Sequence, residues 1–345
     1  MPDPSDPQSP PPLAAPRSPS RTPTPALTPL PDPAAARHAA LTLLISSTLF
    51  AVMAALTKVA TRRLPGPEVA LMRFLAGVIL TGAAVAIGSA RIRPRRWAWL
   101  GARGFFGGVS VVTYFAAIQT VPVGVATLLN QTQPVFTMLF SWMLLAERPR
   151  RAALPALALA LGGVTVIVNA GLRARGSAPN VLGLSGAHGE ILGVISAITS
   201  GVAVTSIRAA RRELADGTPS ETAWSVFFSF SLVGALVTLP TVVPPFGHFV
   251  APNATEWGII AAIGLVSTAA QVIMSASLRS LTGVQSGIIA QLIVPITVVL
   301  GVAFLGEQLT SDFLLGAALT VSGVLLAILT ASPRVRLRIG AGPVQ

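Results

Sequence analysis

Residues 114–149 read YFAAIQTVPVGVATLLNQTQPVFTMLFSWMLLAERP, and residues 277–309 read SLRSLTGVQSGIIAQLIVPITVVLGVAFLGEQL. Each stretch holds an apolar run that reaches the roughly 20 residues a helix needs to cross a bilayer, and each lacks the alternation of a barrel strand. The two stretches also match each other at an offset of 160 residues: Gln131 falls on Gln291, and Glu147 on Glu307. Farther on, Gly163 falls on Gly323, with LALALGGV set against GAALTVSGV, one residue longer. Pro134 and Pro295 are one position out of register. A looser match, at an offset of 150, sets Lys58 on Arg208.

Working outward, ten segments can be drawn as spanning helices: 39–57, 69–88, 98–119, 122–145, 152–171, 189–209, 222–243, 256–277, 283–305 and 312–331. Turn signals such as Pro65-Gly66-Pro67 and Asp216-Gly217-Thr218-Pro219 separate them. Five helices per copy is an odd number, so the second copy must enter the membrane from the opposite side. The expected fold is all-α integral membrane: ten transmembrane helices in two inverted five-helix repeats, an arrangement that recurs in secondary transporters.

Composition agrees. Only 10% of the 345 residues are charged, against about 25% in a soluble domain, and 52% are hydrophobic. That leaves too little polar surface to face water. The net charge of +12 does not imply nucleic acid, because the basic residues cluster between apolar runs. Cysteine is absent, and the three histidines (His38, His188, His248) form no local metal motif, so no metal, cofactor or catalytic site is expected. Residues 1–36 hold thirteen of the 29 prolines and read as a disordered tail, with a basic tail at 333–345 and a linker at 173–188 between repeats 37–172 and 189–332.

Orientation follows from the arginines. With the N-terminus cytoplasmic, clusters at 91–96, 148–151, 208–212 and 334–338 fall inside. Lys58, Arg62, Arg63, Arg173 and Arg175 fall outside. Both termini are therefore expected in the cytoplasm of a cell inner membrane.

The two quoted stretches, followed by LGGVTVIV and GAALTVSGVLL, resemble the endings of two EamA domains. ALTKVATRRLPGPEVALMRFLAGVIL resembles the family's passage from first to second helix, with Lys58, Glu68 and Arg73 at its basic, acidic and "RF" positions. The resemblance spans residues 39–331 and implies the drug/metabolite transporter superfamily, with small organic substrates and no enzymatic activity. The proline tail, the shifted Pro295 and the glutamines at 131, 133 and 291 depart from the family pattern.

Polar groups inside a bilayer are costly and face a cavity or a partner helix. Asn130, Gln133 and Thr137 share one helix face, with Gln131 and Pro134 beside it. Opposite Gln285 and Gln291 they read either as a substrate-facing amide stripe or as interhelical hydrogen bonds. Tyr114 reads as cavity lining or packing. Arg73 and Arg103 read as interface anchors or as attraction for an anionic group, with Glu68 placed to pair with Arg73. Lys58, the only lysine, reads as a cavity-mouth residue or an anchor. Glu147 and Glu307 read as helix-end residues that fix the next helix, and Gly104 and Gly108 as a close-packing pair. No carboxylate falls near the middle of a helix, so proton coupling would need a helix-end group such as Glu190.

The function expected is secondary transport of amino-acid-like or amphipathic metabolites by alternating access, and the family resemblance implies export as the leading direction. An importer or exchanger of a vitamin, nucleoside or cofactor-like solute is the second reading, and an intramembrane enzyme the third. No H-E-x-x-H or G-x-S-x-G motif supports the third. The expected partners are the small-molecule substrate and the lipid bilayer. A homodimer is compatible with both.

Overall fold

Proline breaks two of the long apolar segments. It lacks an N–H and its ring clashes with the carbonyl four residues back, so it is tolerated in the first turn of a helix but not inside one. The carbonyl in question is that of Asn130 for Pro134 and of Gln291 for Pro295. In the computed structural model, which describes residues 33–145, 153–174, 188–211, 221–277 and 283–331, the breaks fall at those places. The segment expected at 122–145 is two helices, α4 (Val123–Asn130) and α5 (Gln133–Leu145). The segment expected at 283–305 is likewise α10 (Gly283–Ala290) and α11 (Ile293–Leu305). The one-residue register difference between the prolines is absorbed in the first turns of α5 and α11.

The remaining helices are α1 (Pro33–Ala60), α2 (Gly66–Ala86), α3 (Trp97–Thr120), α6 (Ala153–Ala174), α7 (His188–Arg211), α8 (Ala223–Thr238), α9 (Ala254–Ser277) and α12 (Ser311–Ala331). No strand occurs among the described residues. α1 starts earlier than its expected edge at 39, because Pro33 suits the first turn of a helix and alanines follow it. Eight spans among the described residues are long and apolar enough to cross a membrane, and Leu154–Ala170 is a shorter apolar helix. Large apolar side chains such as Ile79, Leu154 and Phe304 stand exposed on the outer surface, where lipid would cover them. This is the pattern of an all-α integral membrane protein.

The halves of the chain interlock. α1 packs against α9, and α3 against α7; α2 packs against α8, and α6 against α12. The α6–α12 crossing is reciprocal. A Cβ on Gly163 would lie 2.3 Å from Thr320 Oγ1, and one on Gly323 would lie 2.4 Å from the Ala160 nitrogen. Only glycine lets the two backbones approach this closely. α3 and α8 meet in a similar way, since a Cβ on Gly104 would lie 2.4 Å from Val233 Cβ and one on Gly108 3.0 Å from Gly234 Cα.

Two ends of the bundle differ in packing. At the near end, where α1 begins, Ser277 Oγ donates to Thr42 Oγ1 and Ser46 Oγ to the Ala270 carbonyl. At the far end, where α1 finishes, Leu64, Val69, Phe115, Ile118 and Val121 are buried in one apolar cluster. The largest buried apolar cluster therefore sits toward the far end.

Candidate functional site

A cavity of about 770 Å³ runs from the middle of the bundle toward the near end. Ser46 and Ser47 of α1, Arg73 of α2, Arg103, Ser110 and Tyr114 of α3 line it from the first half. Ser200 and Arg208 of α7, Phe230 of α8 and Gln271 of α9 line it from the second. The broken helices supply Thr127, Asn130, Gln131 and Gln133 on one side, with Ala290 and Ile293 on the other. At its mouth stand Arg208, Ala223 and Met274, close to the near ends of α7, α8 and α9. No aspartate or glutamate is among the described residues that line it.

The helix breaks explain its centre. Residues 131 and 291 end the short pieces α4 and α10, where carbonyls lose their helical donors. Gln131 Nε2 donates to the Ala290 carbonyl at 3.3 Å, and Gln291 Nε2 donates to the Gln131 carbonyl at 3.4 Å. Each repeat's glutamine thus reaches a backbone oxygen freed at the break in the other repeat. The Gln291 Oε1 atom is buried without a partner. Asn130 donates to Ser196 Oγ, and Ser200 Oγ donates to Gln133 Oε1, so both amides are tied to α7. Tyr114 Oη and Thr127 Oγ1 are 2.8 Å apart and brace α3 against α4.

Among the residues singled out in the sequence, Tyr114, Asn130, Gln131, Gln133 and Arg73 therefore share this cavity. Thr137 and Gln291 are not among its lining. The Thr137 hydroxyl is buried without a partner, while its carbonyl accepts from Thr205 Oγ1 at 3.4 Å. Gln285 belongs to α10, but its side chain lies outside the described residues, as does Glu147. Arg103, read as an anchor or an anion-attracting group, lines the cavity with its guanidinium 3.9 Å from the centre of the Phe230 ring. Ser46, Ser47, Ser200 and Gln271 went unremarked in the sequence because small hydroxyl residues and a lone amide in apolar helices look the same whether they face a cavity or a neighbouring helix.

At the far end Glu68, Arg63 and Glu307 join the halves, and Lys58 ties α1 to α3 beside them. Glu68 does not pair with Arg73; it is fully buried, and its Oε2 accepts from the Val250 N–H at 2.9 Å. Arg63 donates through Nε and Nη2 to both oxygens of Glu256, and through Nη2 to the Ala251 carbonyl. The hydrogen bonds to Glu256 hold the Arg63 pKa above its ordinary value. Lys58 Nζ donates to the carbonyls of Ile118 and Val121 at 2.7 and 2.8 Å, capping the C-terminus of α3. Glu307 Oε1 accepts from the Val123 N–H at 2.7 Å, capping the N-terminus of α4. A smaller pocket of about 160 Å³ beside this cap is lined by Glu190 and Glu307.

The near end carries the counterpart of the Glu68 contact. Glu221 sits just before α8 as Glu68 sits in the first turn of α2. Its Oε1 accepts from the N–H groups of Arg95 and Arg96 at 2.6 and 2.7 Å, in the connection between α2 and α3. Glu68 likewise binds the connection between α8 and α9. Each carboxylate leaves its second oxygen buried without a partner. The sequence signal was present in GPEVA at 66–70 and PSETA at 219–223, though too short to stand out by itself.

Proteins of similar sequence are membrane transporters. The pseudopaline exporter CntI of Pseudomonas aeruginosa is 29% identical over 236 residues, 68% of this chain and 76% of that protein. The uncharacterised transporter YwfM of Bacillus subtilis is 24% identical over 255 residues, 71% of this chain and 78% of its own. A solved crystal structure shares the fold with a TM-score of 0.55 at 22% identity, covering 86% of this chain and 98% of that one. Residues 37–169 and 187–329 each match the EamA-like transporter family. These matches take in both halves that build the cavity, and the family consists of membrane transporters rather than enzymes. The chain, a multi-pass carrier of small metabolites, belongs to the EamA-like transporter family.

Proposed function

We propose that the protein exports small organic metabolites, amino-acid-like or amphipathic, across a bacterial inner membrane by alternating access. The observation that carries this reading is the cavity: both halves line it, it opens toward the near end, and contacts between the halves close it at the far end. An exporter loads from the cytoplasm, and the arginine-rich connections at the near end support a cytoplasmic position for it. The similarity to a pseudopaline exporter supports the same direction.

In this reading the chain crosses the bilayer ten times, α4–α5 and α10–α11 each counting as one crossing. The second five crossings repeat the first upside down. Asn130, Gln131, Gln133 and Tyr114 contact the substrate, while Gln291 and Thr137 support them from behind the cavity wall. Glu68, Arg63, Glu256 and Lys58 hold the far gate, with Glu190 beside it. Opening that gate while the near end closes would release the substrate outside.

The test compares the medium of cells with and without the protein by untargeted mass spectrometry. Any solute found is then followed in proteoliposomes of the purified chain. Solutes that accumulate outside only when the protein is present, and that move in proteoliposomes, are the expected result. Accumulation inside the cells would make the protein an importer, and no protein-dependent solute in either assay would end the transport reading.

A further inference from the structure

We infer that the cavity takes a small organic anion, its carboxylate or phosphate held between Arg73 and Arg103. This rests on the transport reading above. Arg73 is 6% exposed, deep in the protein at the inner end of the cavity, and its Nε is buried without a partner. The Nε of Arg103 is likewise buried without a partner. Neither guanidinium makes a hydrogen bond or ion pair among the described residues. Both lean on one aromatic ring instead: the Cζ atoms of Arg73 and Arg103 lie 5.6 and 3.9 Å from the centre of Phe230.

An aromatic face attracts a cation but accepts none of the five N–H donors that each guanidinium presents. Two like charges against one ring also repel each other, and removal from water weakens the screening between them. A purely structural arginine is normally paired or bonded to several carbonyls, and neither condition holds here. The cavity wall supplies no balancing carboxylate among the described residues. The guanidinium fork matches carboxylate and phosphate oxygens two at a time. A ligand bearing such a group would satisfy the idle donors and end the repulsion in one step. The amides and hydroxyls of Asn130, Gln133 and Ser110 would meet the rest of it.

Solutes found by the mass-spectrometric comparison are expected to carry a carboxylate or phosphate, and their structures tell which. Arg73→Gln and Arg103→Gln should each slow their export at least ~10-fold at wild-type membrane levels, since lost charge-assisted hydrogen bonds cost at least that much. Neutral or cationic solutes, or unchanged export by both variants, would overturn the inference while leaving transport standing.

A second measurement avoids dependence on variants that fold poorly. Thermal unfolding of the detergent-purified full chain is followed with glutarate, glycerol 3-phosphate or the neutral glutaramide, at matched ionic strength. Stabilisation by either anion and not by glutaramide is expected, and Arg103→Lys should weaken it because the planar fork is gone. Equal responses to glutarate and glutaramide, or a response to neither anion, would overturn it.

Discussion

Gln131 and Gln133 are two residues apart and have different work. Gln133 bonds to Ser200 at the cavity wall, whereas Gln131 and Gln291 exchange contacts with the backbone at the two helix breaks. Gln133→Ala is expected to lower transport as well as to cost the stability of its bond to Ser200. Gln291→Ala is expected to lower the unfolding temperature, since hydrogen bonds between membrane helices are worth about 0.6 kcal/mol on average and up to ~1.7. Parallel melting and transport assays on the two variants would check both expectations. Glu307 gives a sharper case, because its carboxylate caps α4 from the other half of the chain. Glu307→Ala should cost about 1 kcal/mol, with Glu307→Gln recovering part of it through its carbonyl oxygen; denaturation midpoints would measure both. The sequence made Gln131, Gln291 and Glu307 visible as repeated polar residues in apolar runs. It could not show that the glutamines reach across to the opposite repeat, because that geometry depends on where two prolines break two helices.

Glycines decide how the helices meet. Gly163 sits against Thr320, while a Cβ added at its neighbour Gly162 would meet nothing within 4 Å. Gly163→Leu and Gly323→Leu should therefore prevent the α6–α12 crossing and sharply reduce the folded yield, by at least the ~1–3 kcal/mol typical of overpacking. Gly162→Leu should fold normally. Size-exclusion profiles of the three detergent-purified variants would test the contrast. The matching of Gly163 with Gly323 was legible in the sequence as a repeat. Its meaning was not, since a glycine on an apolar helix looks the same whether it faces lipid or a second backbone. Element boundaries were legible where length and hydropathy set them, as for α2, α3 and α12. They were missed at 131–132 and 291–292, where continuous hydropathy hides a backbone break.

For the whole molecule, the two buried carboxylates Glu68 and Glu221 act as matched fastenings at opposite ends. Glu68→Ala would leave the Val250 N–H without its acceptor and should favour opening of the far end. The cysteine-free chain allows a direct reading. A cysteine placed at Thr127 should react faster with a membrane-impermeant maleimide from outside the cell when Glu68→Ala is also present. Single cysteines at 147 and 307 should label from opposite sides of the membrane. Labelling from one side would remove the inverted arrangement. Length, hydropathy and the repeated Gln, Glu and Gly positions were enough to expect a helical membrane protein. The cavity's composition needed the fold, because its wall is assembled from helices far apart in the chain.

The interlocking of the two halves also bears on how the protein is made. Translation delivers α1 to α6 first, and the surfaces that each of them prefers belong to helices not yet synthesised. Until the ribosome completes the later helices, the Gly163 face and the Glu68 carboxylate must wait in the bilayer without their counterparts. The early half is then most open to capture by quality-control proteases, and a pause between residues 174 and 188 would lengthen that exposure.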